Sequence, residues 1–259
     1  MWLGGGGTVE STFLIPLPSP PCSMDTFIEK IRKELKENID PKTKKNFPRF
    51  FKEKIRYYGV KVPTVVKIAK KYWKDVKFWD KKEIFLLCEG LYRSGSIEEA
   101  FVVSTWVPNL ADLFEPEDFA VFRHWIDTYI TNWAACDGFC NHAVGDFIEK
   151  YPEYVDELKL WTKSENRWMR RAAAVSLIVP AKRGKFLGDV LAIADLLLTD
   201  KDDIVQKGYG WLLKEASRQH TDEVFAYVMK NKRAMPRTAL RYAIELMPET
   251  MKRDAMMTE

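Results

Sequence analysis

The chain has 259 residues, of which 46% are hydrophobic, 30% charged and 13% aromatic, and its net charge is +4. That composition describes a globular chain long enough to bury a substantial core, and it excludes an intrinsically disordered polymer. No apolar run of about 18 residues occurs, so a membrane-spanning helix is excluded.

Residues 1–23 differ from everything after them. Gly4 to Gly7 and then Pro16, Pro18, Pro20 and Pro21 leave no helical pattern. No basic segment precedes the apolar patch around Phe13 to Leu17, so a secretory signal is not expected. A flexible extension over 1–23 and one domain over 24–259 are the expected organisation, with Met24 a candidate natural start.

From Met24 onward the spacing predicts amphipathic helices and no alternating strand. Phe27, Ile28, Ile31 and Leu35 form the first apolar stripe. Phe47 to Tyr58 is predicted as a second helix ended by Gly59, and a third starts at Val62-Pro63-Thr64. Further helices are predicted near 81–93, 96–106, 116–133, 136–150, 153–162, 166–179, 187–199, 202–219, 221–230 and 236–246.

Charge is unevenly spread. From Asp25 to Lys82 there are 19 Lys and Arg against 8 Asp and Glu, a local +11 that leaves −7 for the rest. A second basic cluster comprises Lys163, Arg167, Arg170, Arg171, Lys182, Arg183 and Lys185. This asymmetry suits a polyanion-binding face on an otherwise acidic body. Four cysteines in a chain of this length do not make a disulfide framework. Cys136 and Cys140 share a helix face near His142, but no fourth ligand is evident, so core thiols in a reducing compartment are expected and no metal or other cofactor is.

Trp133 and Asp137 are four residues apart, which on a helix puts an indole beside a carboxylate. Arginines at 167, 170 and 171 and a later indole, Trp211, complete a set that would line a pocket for a ligand carrying both charges. Read singly, Trp133 is a core residue, Asp137 before Gly138 a helix stop or cap, and Arg171 a partner for Glu165 on a solvated face. An offset of 37 residues brings Thr162 onto Thr199, Glu165 onto Asp202, Asn166 onto Asp203, Arg170 onto Lys207 and Ala173 onto Gly210. Helical-pair repeats of this size stack as HEAT-type solenoids, so the expected fold is all-α.

From Asp25 onward the chain resembles the AlkD-type DNA glycosylases. The resemblance is carried by Arg49 in Phe47-Pro48-Arg49-Phe50-Phe51, by Gly59 with Pro63, and by Trp133 four before Asp137. It extends to Arg171 in Trp168-Met169-Arg170-Arg171-Ala172-Ala173, to Gln206-Lys207 and to Gly210-Trp211-Leu212-Leu213-Lys214-Glu215. It implies a right-handed α-solenoid of antiparallel HEAT-like helix pairs with a concave basic groove. It also implies a monomeric DNA repair enzyme that acts in the cytoplasm on nucleoid DNA, or in a nucleus. Its substrate would be duplex DNA containing N3- or N7-alkylated purines.

On that resemblance Asp137, Trp133, Trp211 and Arg171 are the catalytic set. Arg49, Phe50, Arg167, Arg170, Lys182, Arg183, Lys207 and Lys214 are expected to hold DNA. The chain departs from the pattern at Phe50, where the family often has tyrosine, and at Asn132, where it often has another aromatic. Those departures leave an alternative: a catalytically inactive solenoid that binds damaged or branched DNA. A solenoid that scaffolds proteins through an apolar concave surface is a third reading.

Overall fold

Residues 24–257 are described by a computed structural model, and among them the apolar periodicity resolves into helices separated by short capped turns. The extension expected over 1–23, with Cys22, lies outside the described residues. In chain order the helices are α1 (Met24–Glu37), α2 (Pro41–Asn46), α3 (Val62–Val76), α4 (Lys81–Tyr92), α5 (Ile97–Trp106), α6 (Asp118–Tyr129), α7 (Trp133–Phe139) and α8 (Gly145–Lys150). They continue as α9 (Val155–Trp161), α10 (Arg167–Val175), α11 (Ile178–Lys182), α12 (Leu187–Leu196), α13 (Asp203–Ala216), α14 (Thr221–Asn231), α15 (Arg237–Ala243) and α16 (Glu249–Met256). No strand is present among the described residues, only an isolated bridge between Arg56 and Ser96.

The helices stack in two layers. α3, α5, α7, α10, α13 and α15 each pack on the next to form the inner layer, while α1, α4, α6, α9, α12, α14 and α16 lie outside them. The result is an α-solenoid-like stack whose apolar core runs without a break from Phe27 to Ala255. Aromatic side chains weld the layers at the middle, where Phe122 of α6 meets Phe139 of α7 edge-on at 5.5 Å. The Trp106 indole of α5 donates to the Ala69 carbonyl of α3 at 2.8 Å, which satisfies a buried polar group at a helix contact. Fully burying a side chain such as Ile31, Leu35 or Leu87 contributes about 1.5–3 kcal/mol, so this continuous core dominates the stability.

The inner helices start at near-constant intervals. Their caps are Lys61, Ser96, Asn132, Asn166, Asp202 and Pro236, which gives spacings of 35, 36, 34, 36 and 34 residues. The repeat expected at 37 residues is therefore 36 at the pair where it was read, from Asn166 to Asp202. One residue is about 100° on a helix, so the difference matters. The shorter offset puts Arg171, not Arg170, in register with Lys207.

Two predicted helices differ from the structure. Phe47 to Tyr58 is not a helix: α2 ends at Asn46, one tight turn covers Phe47–Phe50, and residues 51–61 run as an irregular strap. The far end of the strap is pinned by a buried carboxylate. Glu98 accepts hydrogen bonds from the backbone N–H groups of Tyr58, Gly59 and Val60 at 3.0, 2.7 and 3.1 Å, which holds that backbone open. Gly59 sits at φ +97° with its α-carbon face against Lys44, a position where a side chain has no room. The second difference is the break predicted between 133 and 136, which falls at 130–132. From Trp133 the helix then runs through a π turn at Cys140–Val144 to Lys150.

Candidate active site

The three helices that carry the candidate residues are also the inner helices with side-chain caps. Asn132 accepts from the Ala135 N–H at 2.9 Å, Asn166 from the Trp168 N–H at 2.9 Å, and Asp202 from the Ile204 N–H at 3.0 Å. These caps satisfy orphan donors and fix the rotation of α7, α10 and α13. Five residues beyond them stand Asp137, Arg171 and Lys207, at one register on three consecutive helices.

Asp137 and Arg171 form a parallel two-bond fork. Arg171 Nε donates to Oδ1 and Nη2 to Oδ2, both at 2.8 Å, and Nη1 donates to the Ile204 carbonyl. Burial alone would lower the Arg171 pKa, but the charge and hydrogen bonds of Asp137 outweigh it and the net shift is upward. Three of the five guanidinium N–H groups are engaged, which leaves two donors for another acceptor. The Arg171 side chain reaches across α13 at Gly208, where an added Cβ would stand 3.4 Å from its Cγ and Nη1. Asp137 keeps 13% of its side chain exposed against 6% for Arg171, so the carboxylate is the more accessible partner.

Trp133 opens α7. Its indole donates to the Phe50 carbonyl at 3.2 Å and its ring stacks on Phe51 with centroids 5.3 Å apart. Trp211 comes from the middle of α13 and donates to Glu215 at 3.3 Å. Both indoles, with Asp137, Arg171, Lys207 and Phe50, line one open cavity of about 390 Å³. The strap closes a side of it: Lys52 binds Asp203 at 2.7 Å, and the Glu53 carboxylate lies 3.2 Å from Arg167 Nη1.

The residues expected to hold DNA divide into three groups. Arg49 is exposed and has no ion-pair partner among the described residues, and Phe50 is 68% exposed beside the cavity. Lys207 shares Asp203 with Lys52, while Lys214 binds Glu245 at 3.2 Å and stands 5.8 Å from the Tyr242 ring centroid. The remaining four lie away from the indoles or are spent inside the fold. Arg170, expected to face DNA, is a brace: Nε binds Asp200 at 2.7 Å and Nη1 reaches the Ser164 and Glu165 carbonyls. Arg167 binds the cap Asp202 at 2.7 Å. Lys182 closes α11, beyond the turn that ends α10, and Arg183 follows it and binds Glu149 at 3.0 Å; neither lines the cavity.

Cys136 and Cys140 are fully buried, and burial, reinforced by Cys140, pushes the Cys136 thiol well above its ordinary range. Its sulfur donates to the Trp168 carbonyl at 3.7 Å. Arg171, weighed as a partner for Glu165, pairs with Asp137 instead. Ile204, Glu53 and Tyr242 line the cavity without having been singled out from sequence. The corrected repeat points to Arg241, five past the Pro236 cap, and so does not single out Tyr242, which stands one residue further on. Asn132, read from sequence as a missing aromatic, is the cap of the helix that carries Asp137.

Fold and site together define an all-helical stack with an ion-paired carboxylate between two indoles. The family model for DNA alkylation repair enzymes matches residues 31–247, and the chain belongs to that family. A solved structure described as "Predicted DNA alkylation repair enzyme from Enterococcus faecalis" superimposes with a TM-score of 0.73 at 17% identity, over 82% of this chain and 98% of that one. At that identity the likeness speaks to the fold alone. No curated protein matches the chain. Family membership gives it a role in the repair of alkylated DNA.

Proposed function

We propose that the chain is a DNA glycosylase that hydrolyses the N-glycosidic bond of cationic N3- or N7-alkylated purines in duplex DNA. One observation carries the reading: Asp137 is held by Arg171 between Trp133 and Trp211, in a cavity open to solvent. Alkylation places a positive charge on the purine. When the C1′–N bond breaks, its electron pair neutralises the base, and the charge passes to an oxocarbenium-like sugar. A fixed carboxylate stabilises that charge more than it stabilises a neutral nucleotide, and it positions the water that attacks C1′ and accepts its proton. The indole faces favour the same cation. The two unspent Arg171 donors suit a backbone phosphate beside the lesion, which would hold the sugar against Asp137.

Duplex contact would come from Arg49, Phe50, Lys207 and the exposed Lys67, Lys70 and Lys74, which share one face of α3 at helical spacing. These α3 lysines have no ion-pair partner among the described residues. The domain is proposed as residues 24–259, acting as a monomer.

A second reading keeps the binding and drops the chemistry. One observation favours it: both Asp137 oxygens already accept from Arg171, as in a structural pair. Free base released from methylated duplex DNA separates the two. Release that vanishes in Asp137→Asn while DNA affinity persists supports the enzyme. Release at the wild-type rate in that variant removes Asp137 from the mechanism, and no release by the wild type leaves the binding module.

A further inference from the structure

Most polar groups that line the cavity are already engaged. The Trp133 indole donates to the Phe50 carbonyl and the Trp211 indole to Glu215, so neither N–H is left for a ligand. Both Asp137 oxygens accept from Arg171, and Lys52 and Lys207 share Asp203. Tyr242 of α15 is different. It lines the same cavity half-buried, and its hydroxyl makes no hydrogen bond among the described residues, yet is not sealed from solvent. Elsewhere the fold uses tyrosine hydroxyls internally: Tyr209 donates to the Leu198 carbonyl at 3.0 Å and Tyr151 to the Phe114 carbonyl at 2.8 Å.

Packing explains where the ring stands but not its hydroxyl. Gly210 lets α15 approach α13, since an added Cβ would stand 2.8 Å from Tyr242 Cβ, and Trp211 is the next residue. Phenylalanine would fill that place without an unpartnered polar atom. The surroundings decide which partner the hydroxyl suits. Lys214 Nζ lies 5.8 Å from the Tyr242 ring centroid, although it also binds the exposed Glu245 at 3.2 Å. Lys52 and Lys207 bring two positive charges to the single Asp203 carboxylate, an excess of one. Asp137 and Glu53 each face an arginine, and Arg241, the residue before Tyr242, is exposed with no ion-pair partner among the described residues. Such a setting favours an anionic acceptor over a cationic donor.

We infer that Tyr242 is a substrate-binding residue whose hydroxyl donates to a backbone phosphate of duplex DNA. The inference takes duplex DNA from the proposed function and does not depend on base release. α15 is the last inner helix of the stack, and α3, with Lys67, Lys70 and Lys74, is the first. Tyr242 therefore holds the duplex on the side of Asp137 and Arg171 remote from those lysines. A phosphate contact sets register and orientation without reading sequence. With Arg171 on one phosphate and Tyr242 on another, the strand is held at two points, which restrains its movement at Asp137.

The test uses Tyr242→Phe, which removes the hydroxyl and keeps the ring. Dissociation constants are measured at several salt concentrations for a plain duplex and for the same duplex carrying 7-methylguanine on a 2′-fluorinated sugar, which resists departure of the base. Binding is expected to weaken about ten-fold, the loss of one hydrogen bond to a charged acceptor, and by the same factor on both duplexes. The slope of affinity against salt should not change, because a phenol is neutral and displaces no counterion. The melting temperature should hold, since the hydroxyl has no partner inside the protein. Tyr209→Phe is the converse control: it should lower the melting temperature, by breaking the bond to Leu198, and leave DNA affinity alone.

Equal affinity of wild type and Tyr242→Phe on both duplexes overturns the inference and leaves Tyr242 a packing residue. Weakening confined to the methylated duplex also overturns it, because the hydroxyl then reads the base. So does a fall in melting temperature that accompanies the lost affinity, which would make the hydroxyl structural. A wild type that binds neither duplex overturns it together with the proposed function. Weakening on both duplexes in a protein that releases no methylated base supports Tyr242 and rejects the glycosylase, whereas base release with unaltered affinity rejects Tyr242 alone.

Discussion

The first two inner helices and the three that follow share one architecture but present different chemistry. At the register five residues past the cap, α3 and α5 place Val66 and Phe101, whereas α7, α10 and α13 place Asp137, Arg171 and Lys207. The caps differ in the same way: Lys61 and Ser96 make no side-chain capping bond, while Asn132, Asn166 and Asp202 all do. A uniform stack is thus differentiated by what stands at one repeated position and by how firmly each helix start is held. The α3 end supplies Lys67, Lys70 and Lys74, unpaired among the described residues, and the later helices supply a fixed ion pair.

The sharpest way to break the contrast is to remove the fixed charge. Asp137→Asn should lower base release by about 10²-fold or more, the scale of deleting one preorganised electrostatic interaction from an active site. Asp137→Ala should also destabilise the fold by about 3–5 kcal/mol, because it strands the buried Arg171 guanidinium. Single-turnover assays and denaturant melts of both variants check this, and equal stability in the two would show that Arg171 finds another acceptor.

Next in size is the packing that brings Tyr242 to the cavity. An added Cβ at Gly210 would stand 2.8 Å from the Ala239 carbonyl oxygen and 2.8 Å from Tyr242 Cβ. Gly210→Ala should therefore force α13 and α15 apart and cost about 1–3 kcal/mol. Gly208→Ala meets Arg171 only at ordinary contact distance and should be tolerated. Thermal melts of this pair sharpen the contrast between a helix contact and a side-chain passage.

The α3 end should behave differently. Replacing Lys67, Lys70 and Lys74 with alanine should leave stability unchanged. The same triple variant should flatten the salt dependence of duplex binding, by about 0.9 in logarithmic slope for each phosphate that these lysines neutralise. Titrations at several salt concentrations read the slope, and an unaltered slope would remove α3 from the DNA path.

The smallest effect concerns the cap of α2 beside the strap. Hydrogen bonds from the Thr43 side chain and backbone, aided by Lys61, hold Asp40 at about 2, below its ordinary 3.8. A depressed carboxylate contributes stability above its unfolded pKa and loses it as pH falls through the folded one. Amide protection over 41–46 should hold above about pH 4 and fade toward pH 2, and Asp40→Asn should flatten that profile. Hydrogen exchange across this window checks it.

Helix type and order were legible in the sequence because apolar stripes such as Phe27, Ile28, Ile31 and Leu35 are local signals. The strap was not. Its end is held by Glu98, some 40 residues away, which takes the backbone donors of Tyr58, Gly59 and Val60, a partner that no local pattern announces. The carboxylate with its two indoles could be named from spacing and resemblance together, and the cavity does gather Asp137, Trp133, Trp211 and Arg171. Glu53 could not, because no local pattern relates residue 53 to residue 137. The direction of Arg170 was missed through one residue of register, which turns a groove cation into a brace against Asp200.

The caps recurring every 34–36 residues mean that no single unit of the stack owns the site. Its acid, its guanidinium and its second indole come from three consecutive units, and the strap arrives from roughly 80 residues upstream to meet Trp133. Inserting or deleting one unit between α5 and α13 would leave every helix well packed and still part these groups. The cavity therefore depends on the count of units between the strap and α13 as much as on any one side chain.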